Sequence, residues 1–283
     1  MRAARKTALP RAVDSVNPPD NAVHVEAVES TAAALVDKND SIPPEVVATQ
    51  GEVRDAGVEM ALAPRPLRER IGIASNYTVP GSHTLKYQVT SNKFPFSLNA
   101  ELGWQLDGES YSARLAFGAF GISRVQTSRG QITAEGLAPL RFSDKYRSEV
   151  AAHFVREKGK VIFSANTPDA PLLSGAQDRL SVVVQLAAMI AGNPDHFPPA
   201  TTITLQIVGP RDADIWLFTV EDDEMLTLPG GQLLTRKLVR NPRQEFDQKV
   251  ELWLAPALDY LPARLRITES NGDYADQRWL GEP

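Results

Sequence analysis

The sequence predicts a mainly β protein: a curved antiparallel sheet, an open or half barrel, wrapped around one hydrophobic helix and preceded by a disordered N-terminal tail. Three observations carry this. From Tyr77 onward, apolar residues recur at every second position in short runs separated by turn-forming residues. One segment, residues 180–191, is apolar at nearly every position and carries helix-boundary signals. Residues 1–76 hold no aromatic residue and are punctuated by Pro18-Pro19, Pro43-Pro44 and Pro64-Arg65-Pro66.

The tail comes first. Without large side chains, residues 1–76 cannot bury enough surface to offset the entropy of ordering. They read as a disordered Pro/Ala-rich tail or linker, and residues 77–283 as the folded domain. Met1-Arg2-Ala3-Ala4-Arg5-Lys6 resembles the basic start of a signal peptide, but Pro10, Arg11 and Asp14 interrupt any apolar core, so no signal peptide is expected in the chain as given. No apolar run reaches the roughly 18–20 residues of a membrane span, so no transmembrane segment is expected.

The strands follow. In 84–89, Leu85, Tyr87 and Val89 share a face; in 97–104, Leu98, Ala100, Leu102 and Trp104 do. Runs 111–117 and 123–128 continue the pattern, and Ser128-Arg129-Gly130-Gln131 reads as a turn into 132–135. Runs 151–156 and 160–164 flank Glu157-Lys158-Gly159, a hairpin turn. Strands are expected at 202–208, 214–220, 232–239 and 249–254. Ser270-Asn271-Gly272-Asp273 joins a last pair, 262–269 and 274–280. Ten to twelve strands with short connections predict an antiparallel meander rather than alternating βαβ units.

The helix interrupts them. Ser174 and Gln177 have capping-box spacing, and Asp178 places negative charge near the first turn. Gly192-Asn193-Pro194 ends the run. A helix apolar all round is a buried helix, which suggests that the sheet curves around it.

Chemistry is harder to find. The net charge of −5 argues against a phosphate-tracking surface, so no nucleic-acid partner is expected. With no cysteine, thiolate nucleophiles, disulfides and zinc–thiolate sites are excluded. His24, His83, His153 and His196 show no zinc-hydrolase spacing. Gly121-Ile122-Ser123 lacks the second glycine of a nucleophile elbow, and no phosphate loop or dinucleotide fingerprint is present. No catalytic residue, metal site or cofactor is therefore assigned. Glu221-Asp222-Asp223-Glu224 reads as a solvated hairpin turn.

The remaining candidates are binding residues. Trp104, Phe117, Trp216, Phe218 and Trp253, with Leu98, Leu102 and Leu115, are expected to line an apolar groove between sheet and helix, or to be plain core. Asp178 and Arg264 are expected near it, Arg264 sharing a face with Arg266 and meeting Asp178 or an anionic head group.

Read together, Ser128-Arg-Gly-Gln-Ile132, Glu135-Gly-Leu-Ala-Pro139, Gly175-Ala-Gln-Asp-Arg-Leu-Ser181, Gln185-Leu186, Trp253-Leu-Ala-Pro256, Asp259-Tyr-Leu-Pro-Ala-Arg-Leu-Arg266 and Asn271-Gly272 resemble the DUF3108 family over residues 81–280. The resemblance implies a periplasmic or inner-membrane-associated envelope protein of Gram-negative bacteria, with a sheet shaped like the lipoprotein-carrier half-barrels. It implies no activity. Two readings stay open: a non-enzymatic binding protein for a lipid or acyl chain, and a structural module that binds an envelope protein. An enzyme is the least supported class.

Overall fold

The computed structural model describes residues 77–119 and 122–281. The expected disordered tail lies outside the described residues. Among them run β1 (His83–Ser91), β2 (Phe94–Asp107), β3 (Ser110–Ala119), β4 (Ile122–Thr133), β5 (Gly136–Lys145), β6 (Glu149–Val155), β7 (Lys160–Phe163), β8 (Ala170–Pro171) and β9 (Gln177–Asp178). The helix α1 (Ser181–Gly192) follows. Then come β10 (Thr202–Val208), β11 (Ala213–Leu228), β12 (Gly231–Arg240), β13 (Lys249–Leu254), β14 (Pro262–Thr268) and β15 (Tyr274–Trp279).

All fifteen strands belong to one open sheet, ordered β8-β7-β6-β5-β4-β3-β2-β1-β15-β14-β13-β12-β11-β10-β9. The first and last strands lie side by side in the middle, with Tyr87 opposite Trp279. Two meandering arms spread from that pair, and only residues 172–176 separate β8 from β9 at the arm ends. Gln206 of β10 reaches across: its Nε2 donates to the Pro171 carbonyl at 2.8 Å, and its Oε1 accepts from the Leu173 N–H at 2.9 Å. Side-chain hydrogen bonds thus tie the arm ends together although the strand ladder stays open.

Alternation decides which side chains are buried. Leu98, Ala100, Leu102 and Trp104 are buried, while Asn99 and Glu101 between them are exposed. The expected turns at Gly159 and Gly272 form; Gly272 has φ +85°, which a side chain would strain.

The structure corrects several expectations. Ser128-Arg129-Gly130-Gln131 is no turn but the middle of β4, where the register against β5 shifts between Arg129 and Gly130. A Cβ on Gly130 would lie 2.7 Å from Tyr111 Cε1 and 2.8 Å from Pro139 Cα, so glycine permits a close approach here, opposite a bulge whose extra residue is Leu140 of β5. The acidic run Glu221–Glu224 continues β11 instead of ending it; the turn falls at Pro229-Gly230. Cross-strand partners make this tenable: Lys237 Nζ lies 3.0 Å from Glu221, and Arg236 grips Asp223 at 2.7 and 3.0 Å. One pair is parallel rather than antiparallel: β9 and β10, with α1 crossing between them.

The helix runs close to its expected span. Every residue from Ser181 to Ile190 is buried. Val182, Val183, Leu186, Met189 and Ile190 pack against Ile203, Trp216, Phe218, Leu238 and Leu252 of the C-terminal arm. Burying side chains of this size contributes about 1.5–3 kcal/mol each. The single helical amide, Gln185, is not wasted: its Oε1 accepts the Leu137 N–H of β5 at 2.7 Å, across to the other arm.

Candidate functional site

The helix start is built from polar groups sealed in the core. Asp178 Oδ1 accepts the N–H groups of Leu180 and Ser181 at 2.9 and 2.7 Å, and the Asp178 N–H donates to Ser181 Oγ at 2.8 Å. This is a reciprocal capping box on Asp178 and Ser181, three residues apart. The Ser174–Gln177 spacing was the wrong pair: Gln177 lies in β9, and its Nε2 donates to the Leu137 carbonyl at 2.7 Å. Ser128 Oγ donates to Asp178 Oδ2 at 2.5 Å, and Tyr111 Oη lies 3.1 Å from Ser128 Oγ. Asp178, Ser128, Ser181 and Gln177 have no exposed surface. Burial pushes the Asp178 carboxyl up to about 6, against the hydrogen bonds it accepts. Burial also raises the Tyr111 phenol, with the Asp178 charge adding to it. A carboxylate with no route to solvent and its oxygens engaged is a structural latch for α1.

The second feature is a cavity of about 70 Å³ between α1 and the sheet. Leu180, Val182, Val183 and Leu186 wall it from the helix side; Trp216, Phe218, Val250, Leu252, Leu265 and Ile267 wall it from the C-terminal arm. Leu115 and Phe117 close it from β3. Its polar lining is Gln126, Gln248, Gln277 and Arg179. Arg179 is held by Asp212 at 3.0 and 3.2 Å. Gln126 Nε2 donates at 2.9 Å to Asp144, which also takes a two-point grip from the buried Arg124 at 2.6 and 2.7 Å.

The expected groove residues divide. Phe117, Trp216 and Phe218 line the cavity, as does Leu115. Trp104 is fully buried elsewhere, stacked on Tyr111 at 5.2 Å, with its indole N–H on the Pro80 carbonyl at 3.0 Å. Trp253 is on the opposite face of its strand from Val250, Leu252 and Leu254. There its N–H donates to Glu224 at 2.8 Å, and its ring meets Arg264 at 4.4 Å and Lys237 at 5.2 Å. Arg264 does not meet Asp178: it pairs two-point with Asp276 at 2.7 and 2.8 Å. Asp178 belongs to the latch, outside the cavity lining.

Sequence reasoning missed the three glutamines. The signal was present: Ala275, Gln277 and Trp279 alternate on one side of β15, which puts an amide among core residues. His153, Asp195 and His196 are exposed and far from such a setting in burial terms.

Comparison with known proteins adds a family and little else. The family model DUF3108, described as a protein of unknown function, matches residues 80–276. No curated protein matches the chain. Among solved structures, one from Bacteroides fragilis NCTC 9343, assigned as an exported protein with a YmcC-like fold, aligns over 73% of this chain and 98% of its own at 9% identity and a TM-score of 0.32. Similarity at that level supports no argument about fold or function.

Proposed function

The chain belongs to the DUF3108 family, and we propose that it is a non-enzymatic binding protein that holds a hydrophobic or lipidic ligand between α1 and the sheet. The observation that carries this reading is the cavity: helix on one side, strands of both arms on the other, aliphatic and aromatic side chains over most of its wall. In this reading the sheet curves around α1, and the helix is a movable wall rather than filler. Contacts of α1 with both arms support it: Gln185 bonds β5, while Val182 and Leu186 pack on the C-terminal arm. The resting space, about 70 Å³, is roughly half the apolar cavity that admits a benzene ring. A longer ligand therefore has to displace Val182, Val183 and Leu186 outward. Placement in the cell envelope rests on the family resemblance. Among the described residues no helix is long and apolar enough to cross a membrane.

Native mass spectrometry of protein purified gently from its own cells tests this. The expected result is a bound species that organic solvent releases and that reappears as a lipid or acyl compound in the extract. Ligand-free protein that also ignores hydrophobic dyes would overturn the reading.

A second reading has one observation in its favour. Met225 and Leu234 are paired across β11 and β12, and are 61% and 48% exposed. An apolar pair on a strand surface suits a protein partner. In-cell crosslinking from that pair would recover a specific protein above background if this is the main role.

A further inference from the structure

We propose that the cavity selects ligands whose polar end is uncharged and hydrogen-bonding, an amide, ester or hydroxyl on an alkyl body, and that Gln277 reads that group. The inference rests on the binding reading above and adds the chemical class of the ligand.

Charge is the first argument. The lining contains one cation and no carboxylate, and that cation, Arg179, is already neutralised by Asp212. A carboxylate or phosphate entering such a wall loses its hydration and finds no uncompensated positive charge to replace it.

Hydrogen bonding is the second. The amides of Gln126 and Gln248 already donate, to Asp144 and to Glu269, each at 2.9 Å. Gln277 differs. It is 4% exposed, faces the cavity, and its side chain makes no hydrogen bond with a described residue. Its amide atoms are not sealed in, unlike the buried, unpartnered Gln177 Oε1. Leu265 and Val89 flank it on the neighbouring strands. An amide whose donor and acceptor no described residue engages is open to a ligand, and in apolar surroundings a bond formed there is strengthened. A ligand amide would satisfy both functions of Gln277 at once, and a hydroxyl one or both.

The test is an NMR titration of ¹⁵N-labelled full-length protein with octanamide, octanol and octanoate at pH 8. Octanamide should bind roughly tenfold more tightly than octanoate, the worth of about one hydrogen bond, and should shift the Gln277 Nε2–H resonances. The near-isosteric Gln277→Met should bring octanamide down by the same roughly tenfold factor and leave the thermal midpoint equal or higher. If the probes bind but octanoate matches octanamide, or the Gln277 resonances stay still, the head-group inference is overturned while the binding reading stands. If none of the three probes binds, the binding reading itself fails. The wild-type resonance shift decides the question even if the variant folds poorly.

Discussion

Asp178 shows what one residue contributes at each level of the structure. Its carboxylate caps α1 through two backbone N–H groups and anchors Ser128 of β4. Its folded-state value of about 6 lies above the ordinary 3.8. The stability linked to this group is thus fully present below the ordinary value and is lost as pH rises through about 6. The difference corresponds to about 3 kcal/mol. Asp178→Asn keeps an acceptor for the two N–H groups and removes the charge. Denaturant titrations at pH 4.5 and 7.5 should show that variant matching or exceeding the wild type at pH 7.5 and losing its advantage at pH 4.5. Asp178→Ala loses the cap and strands the Ser128 hydroxyl, so it should cost about 2–4 kcal/mol at pH 4.5 and roughly 2 kcal/mol less at pH 7.5, where the wild type carries the buried charge. An Asn variant weaker at pH 7.5 than at pH 4.5, relative to wild type, would contradict this role.

At the scale of elements, parity and punctuation explain what was legible and what was not. α1 was legible because an apolar run of that length has few other readings, and β10 and β13 because Ile203, Leu205 and Ile207, and Val250, Leu252 and Leu254, recur at every second position. β5 went unread because Pro139 sits inside it. Pro139 is tolerated there because β6 pairs with β5 only from Arg141 onward, leaving no ladder partner on that side; Arg156 instead donates to the Pro139 carbonyl at 2.6 Å. Gly130, opposite the β5 bulge, was misread as a turn because glycine in a strand and glycine in a turn look alike from sequence. The two are separable by substitution. Gly130→Ala should cost about 1–3 kcal/mol in a urea titration, because Tyr111 and the Pro139 backbone have to yield. Gly103→Ala, in β2, would place its Cβ no nearer than 3.9 Å to the Arg114 carbonyl, and should be neutral or slightly stabilising. Equal costs at both sites would remove the argument for a close approach at the bulge.

At the scale of the molecule, the site depends on arms that meet only through long-range pairing. β1 and β15 join them in the middle, residues 172–176 and Gln206 tie their ends, and α1 bonds to one arm and packs on the other. No local sequence signal carries that closure. This is why Phe117 and Trp216, nearly 100 positions apart, were expected to share a groove only through the general idea of a curved sheet, whereas Trp253 was placed on the wrong face by a single step of parity. Arg264 was misassigned for a related reason: Asp276, opposite Arg266 on β15, meets Arg264 diagonally, a pairing that depends on register.

The central claim is that the space between α1 and the sheet takes a hydrophobic ligand. Val183 lines that space from the helix side. A fluorescence titration with the neutral dye Nile red, on wild type and Val183→Phe in parallel, tests it most directly. The account predicts saturable one-to-one binding to the wild type and a loss of at least tenfold in affinity when the phenyl ring fills the cavity, with the folded far-ultraviolet spectrum retained. Dye binding of equal strength in both proteins, or none to the wild type, would contradict it.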